Sequence, residues 1–362
     1  MKFLSRILIA SMPLLALGAS AQTTQRFTAS KANEYGLVYS LPTTELDIYV
    51  ETEHTRLTPG EFYNYTRRFL AIDNAITEPS TKVELKSITI VPRGVANDEN
   101  RWMVQFKSGS TPYVLLNSDG IPLTVNTDEP ADIDEPAVPE AVAAKPTILE
   151  TEMARQAMTQ DMIRSSSMSK RAELAAARIL ELRDTRSDLL SGEADNPPAD
   201  GQAMKLVLDN LAGQEEALTA MFVGTKQTWT NVGCVTLAPD DQGFENQTIA
   251  RISPFDGLID ADNLAGAPLT ATVQILERGQ LPVTENGVEK KFPKGGFAYQ
   301  IPGTALITIY FEGREIASKQ LPLAQLGVTF GLDPSLFTDK KAPSKLQLDP
   351  TTGGVLLLGP AN

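Results

Sequence analysis

The chain has 362 residues, 42% of them apolar, with 32 basic against 45 acidic side chains, a net charge of −13 and a single cysteine. That charge argues against nucleic acid and anionic membranes as partners, and one cysteine excludes an internal disulfide framework. The length suits roughly two globular units with packed cores of their own.

Lys2 and Arg6 head an almost wholly apolar run over 7–17, and Ala19-Ser20-Ala21 supplies small residues before Gln22. This is the pattern of a cleavable secretory signal over 1–21, too short for a membrane span. Gln22 stands where a lipoprotein would carry cysteine, and no second run of 18 apolar residues follows. The expectation is an exported chain with no membrane span after cleavage.

Residues 22–126 read as a β-rich unit with one short helix. Leu46, Ile48 and Val50 alternate with Glu45, Asp47 and Tyr49, the period of a half-buried strand. Thr58-Pro59-Gly60-Glu61 has the order of a capping box, so a helix is expected from Thr58, with Phe62, Tyr65 and Phe69 on one face. Strand patterns return at 82–91, 101–107, 112–117 and 121–126, the last two joined by the turn signal Asn117-Ser118-Asp119-Gly120. Residues 127–147 hold four prolines and six acidic residues and read as an extended linker.

Residues 148–224 read as a long antiparallel helical hairpin. Ala175, Ile179, Leu182, Arg186 and Leu189 recur at spacings of four and three, and Gly192 ends the first arm. Asp200 can cap the second, whose apolar side is Ala203, Val207, Leu211, Leu218 and Met221. A continuous helix over 148–191 would reach about 65 Å and protrude from a small domain. Ser165-Ser166-Ser167 is its weak point. Residues 225–362 read as a second β-rich unit, with hairpin turns at Glu285-Asn286-Gly287 and Glu312-Gly313-Arg314 and a last hairpin around Asp349-Pro350-Thr351-Thr352-Gly353-Gly354. Tyr39-Ser40-Leu41-Pro42 echoes Tyr299-Gln300-Ile301-Pro302, either as two related β units or as two ordinary strands.

Little chemistry is offered. His54 is the only histidine; set among charges in Glu51-Thr52-Glu53-His54-Thr55-Arg56, it reads as a solvated loop residue. Cys234, in a strand pattern, reads as a buried small hydrophobe. Zinc chemistry is nearly excluded by count. Asp256, Asp260, Asp262 and Asn263 are oxygen ligands of the type calcium uses, but they lack the EF-hand order and read better as a capped turn. Met153, Met158, Met162 and Met168, with Leu182 and Leu189, could form an adaptable partner-binding surface on the first helical arm or simply pack inward. No residue stands out as catalytic, and no cofactor is called for.

Several stretches together resemble a known family: Tyr39-x-Leu41-Pro42-x-Thr44-x-Leu46, Pro59-Gly60-Glu61-Phe62-Tyr63-x-Tyr65, Ala177-Arg178-Ile179-x-Glu181-Leu182-Arg183, Pro198-Ala199-Asp200-Gly201, Arg251-Ile252-Ser253-Pro254, Tyr299-x-Ile301-Pro302 and Leu323-Ala324-Gln325-Leu326-Gly327. The combination resembles the domain of unknown function 4831, a family of secreted Bacteroidetes proteins. The resemblance implies a Gram-negative envelope setting, in the periplasm or at the cell surface, and carries no catalytic role to any residue.

The expected fold is α+β: two mostly antiparallel, sandwich-like β units separated by an acidic Pro-rich linker and a long helical hairpin. The expected role is a non-enzymatic envelope protein that binds other proteins through the hairpin or a sheet edge. The alternatives are a carboxylate-based hydrolase or carbohydrate binder, and a surface or fimbrial subunit. An enzyme should show a cleft of converging Asp or Glu with raised pKa; a binding protein should show an apolar stripe on the hairpin left uncovered by its own domain; a surface or fimbrial subunit should show an open sheet edge or a missing strand.

Overall fold

The computed structural model describes residues 23–26, 36–105, 112–134, 136–194, 197, 201–339 and 343–361. The signal expected at 1–21 and the cap expected at Asp200 lie outside them. Antiparallel sheet dominates, with helix in the minority.

The first sheet contains Thr23–Arg26 (β1), Leu37–Thr58 (β2), Ser80–Gln105 (β3) and Thr225–Leu237 (β6), in the order β1-β3-β2-β6. Leu46, Ile48 and Val50 point inward and are fully buried, as their alternation demands. The second sheet runs Arg314–Leu332 (β11), Phe297–Phe311 (β10), Ala267–Glu277 (β9), Phe244–Ser253 (β7) and Gly257–Ile259 (β8) in spatial order. Glu312 and Gly313 both take positive φ between β10 and β11, a turn twisted to suit the strands it joins. The two sheets close on one core, where Leu46, Ile48, Val50 and Ile90 meet Ile252, Leu269, Ile307, Ile309 and Leu323. Burying each such side chain is worth about 1.5–3 kcal/mol.

A third sheet, in the order β13-β12-β5-β4, joins Val114–Leu116 (β4) and Pro122–Val125 (β5) to Ser344–Leu348 (β12) and Val355–Pro360 (β13). The turn expected at 117–120 links β4 and β5: the Asn117 side chain accepts from the Asp119 and Ile121 amides, and Gly120 takes φ +80°. Tyr39, Leu41, Phe297, Val125, Leu346 and Leu348 fill the core beneath this sheet.

These pairings revise the expected division into β units at 22–126 and 225–362. From Leu46 opposite Leu237 to Thr58 opposite Thr225, a strand of the second stretch completes the sheet of the first. β5 in turn pairs with β12. Sequence periodicity fixes which face of a strand is buried but not which strand lies beside it.

Helices occupy the segment between β5 and β6. Glu152–Ala157 (α2), Gln160–Arg164 (α3), Met168–Ser191 (α4) and Gln202–Val223 (α5) pack on Phe62 and on the short helix Thr66–Leu70 (α1). The continuous helix envisaged over 148–191 is broken. Residues 165–167 leave the helical path, and the Ser167 hydroxyl accepts from Lys170 N to start α4 afresh. At 24 residues α4 is about 36 Å long. Gly192 ends it in the left-handed conformation, as expected.

The helix expected from Thr58 also starts later. Thr58 is still in β2, opposite Thr225; a 3-10 turn over Tyr63–Tyr65 then leads into α1. Phe62 N donates to Met221 O, and a Cβ on Gly60 would fall 2.3 Å from that oxygen, so this corner is shaped by α5 rather than by a local cap. The acidic linker does not hang free. Val142 bridges Thr230 on the outer edge of β6, and Gln227 donates to Lys145 O. Among the described residues, no helix is long and apolar enough to cross a membrane.

Candidate functional site

The β12–β13 hairpin is held at its turn and open along its outer strand. Asp349 organises the turn: its carboxylate accepts from Thr351 N and Thr352 Oγ1, each at 2.8 Å, and its carbonyl accepts from Gly353 N at 2.7 Å. The turn is wedged between two proline corners. A Cβ on Gly353 would meet Pro42 at 2.9 Å, and one on Gly354 would meet Pro302 at 3.4 Å. Gln300 N donates to Gly353 O, Thr44 Oγ1 donates to Thr351 O, and Gly94 lies so close beneath that a Cβ there would sit 2.0 Å from Pro350 O. The Gln325 amide completes the seat, accepting from Thr44 N and donating to Thr44 O. The internal echo thus has a structural meaning. Each copy sits at a register shift, at Ser40/Pro42 in β2 and at Ile301/Gly303 in β10, where a long strand passes from one core to the next.

Beyond this anchor, β13 pairs only with β12 among the described residues. Val355, Leu356, Leu357 and Leu358 are 37%, 51%, 40% and 43% exposed, so both faces of the strand are wet. Positions 355–361 carry no charge. Proteins normally blunt such an edge with lysine, proline or a covering element. Here a β-bulge at Leu356, between Val355 opposite Leu348 and Leu357 opposite Gln347, interrupts the stretch, and the ring of Pro360 closes its far end. Beside Val355 and Leu356 lies a cavity of about 410 Å³ whose walls include Tyr299, Ile301, Pro302 and Pro322.

His54 is buried, against the expectation of a solvated loop. It continues the inward face of β2 past Val50 and Thr52 and is 4% exposed. The run of charged neighbours misled the reading, because alternation sends Glu53 and Thr55 to the other face. His54 stacks on Trp229 at 5.2 Å between ring centroids, and Arg56 lies over the same indole. Thr52 Oγ1 and Asn231 Nδ2 both approach His54 Nε2 at 3.2 Å. An amide N–H aimed at Nε2 needs a lone pair there, which is the neutral imidazole. Desolvation likewise lowers the His54 pKa from 6.5.

Cys234 is the reverse case, expected buried and found exposed on the outer face of the first sheet. Partial burial, followed by the nearby Asp47 charge, raises its thiol above 9.0. On the same face Asp47 accepts from Arg93 and Thr236, while Glu51 accepts from Lys86 and Ser87. Burial alone would raise Asp47, but its hydrogen bonds outweigh that and hold it below its ordinary value. The Lys86 and Ser87 hydrogen bonds do the same for Glu51.

The family model described as Domain of unknown function (DUF4831) matches residues 35–356. The chain belongs to that family. No curated protein and no solved structure matches it. In this DUF4831 member, three of the stretches that carry the resemblance, 39–46, 299–302 and 323–327, converge on the seat of the 349–354 turn.

The other candidate residues have structural roles. Asp256 accepts from Ser253 Oγ, Asp260 O accepts from Asn263 N, and Asn263 Oδ1 accepts from Ala265 N, which are the bonds of capped turns. Asp262 joins no metal-binding group: among the described residues, no three His, Cys, Asp or Glu side chains converge to hold an ion. Met162 and Leu182 are buried in the helical core, Met158 packs against it and Met153 lies on Gly213 of α5, while Met168 at the start of α4 is exposed. Leu189 is half-buried near the far end of α4. A second cavity, of about 510 Å³, lies where α4 and α5 approach β6, but its Glu215 is already paired with Arg183 and Arg186 at 2.6 and 2.9 Å.

Proposed function

We propose that the chain is an exported, non-enzymatic protein-binding module of the cell envelope, engaging its partner through the β13 edge. The observation that carries this reading is the uncharged run Val355–Leu358, open on both faces and anchored at one end by the hydrogen-bonded Asp349 turn. Among the described residues the carboxyls with displaced pKa values, Asp47, Glu51 and Asp333, are all displaced downward, opposite to a general acid. In this reading the helices over 148–224 form a hairpin that stands as a spacer, since Met158 and Met162 pack into its own core.

The test is in-cell crosslinking of the tagged full chain beside Leu357→Lys, with cell fractionation and N-terminal sequencing of the recovered protein. Export predicts Gln22 as the first residue. Binding through the edge predicts envelope partners captured by the parent chain and lost with the lysine. Equal capture by both refutes the edge.

A further inference from the structure

The edge also constrains what it can accept. Four part-exposed side chains offer far less than the roughly 800 Å² per partner that a stable interface needs. Two copies meeting edge to edge would each bring a net charge of −13 to the other. The geometry suits a thinner occupant. A single extended segment laid along Val355–Leu358, following the bulge at Leu356, would recover backbone hydrogen bonds that β13 makes to no other strand among the described residues. Side chains of such a segment alternate between faces. One set would reach the 410 Å³ cavity beside Val355 and Leu356, walled by Tyr299, Pro302 and Pro322. The other would lie on the Leu357 side. Leu358 stands opposite Leu346, which is fully buried, so the inward side of the edge continues the apolar core outward. The acidic chain favours cations at the ends of the segment.

Resting on the protein-binding reading above, we infer that β13 accepts a short, extended, apolar segment of another protein, flanked by lysine or arginine, as a fifth strand of the third sheet. The seat at Pro42, Pro302 and Gly94 fixes the edge beforehand, so the ordering cost falls on the incoming segment.

The purified full chain is titrated with three synthetic peptides: alternating Val and Thr with lysine flanks, the same core with glutamate flanks, and a lysine-flanked version with proline at alternate positions. Binding is read by fluorescence anisotropy, and amide exchange is followed over 355–359. The lysine-flanked peptide should bind and protect those amides. Glutamate flanks should weaken it by about tenfold at low salt, and the proline version should not bind. Leu357→Lys and the milder Leu358→Thr should both lose the peptide while keeping the parent's circular dichroism and melting temperature. Equal affinity for the lysine and glutamate peptides, or binding without protection of 355–359, overturns the inference. So does a concentration-dependent dimer that disappears in Leu357→Lys, which would assign the edge to a second copy. If no peptide binds yet partner capture still depends on Leu357, the segment chemistry falls and the protein-binding reading stands. If capture ignores Leu357, both fall.

Discussion

Acidification should destabilise this protein through one side chain. His54 is the only histidine, so its titration can be read without deconvolution. Its folded pKa lies below 6.5 because the imidazole is desolvated on the inner face of the first sheet, beside Trp229 and close to Gly257 of β8. A base that binds its proton less readily when folded leaves stability intact above the unfolded value. As the pH falls below that value, the unfolded chain holds a proton that the folded chain refuses. Stability therefore drops until the pH passes the folded pKa. The slope approaches about 1.4 kcal/mol per pH unit where the unfolded imidazole is charged and the folded one neutral. With a urea dependence near 3 kcal/mol/M, that is a fall in midpoint of about 0.5 M per pH unit. Urea unfolding at closely spaced pH values between 5 and 8, paired with the imidazole NMR titration, measures both sides of the linkage. His54→Gln should be less stable than the parent and flat with pH in that window, since Asp47, Glu51 and Asp333 titrate lower. A His54 that titrates at or above 6.5, or a slope that survives in His54→Gln, refutes the assignment of a neutral, desolvated imidazole.

Other outcomes follow from packing and exposure. Phe222→Ala removes a fully buried ring that lies 5.3 Å from Phe62, and should cost about 3–5 kcal/mol in urea unfolding. Gly94→Ala must push the 349–354 turn off its seat; a loss of about 1–3 kcal/mol, with faster amide exchange at Gly353, checks it. Cys234 should label with a maleimide in the native protein without denaturant, slowly at neutral pH because its thiol is held above 9.0, and faster as the pH rises.

The strands were legible where one face is buried. Leu46, Ile48 and Val50 announced β2, Asn117 to Gly120 announced their turn, and Asp349 to Gly354 announced the hairpin that carries the candidate edge. The sequence erred where a local signal competed with a distant partner. Thr58 and Glu61 have the spacing of a capping box, yet Thr58 is taken by pairing with Thr225, while Thr147 and Glu150, at the same spacing, do form one. The charged neighbours of His54 mimic a loop, but the period of two that begins at Leu46 places it inside. Leu356 and Leu357 gave no signal of function, since a run of leucines reads equally well as core; only the pairing order shows that β13 has one neighbour among the described residues.

That pairing order also bears on when the chain can fold. β2 finds its second neighbour only after residue 225, and β5 finds β12 only after residue 344, so neither sheet can close on a nascent chain that lacks its last part. Loop closure over such separations is slow, and long-range strand pairing delays the transition state. A chain built this way cannot close these sheets until synthesis has passed residue 344. For the same reason, fragments cut at 126 or 225 should not fold alone, because each takes half of a sheet with it.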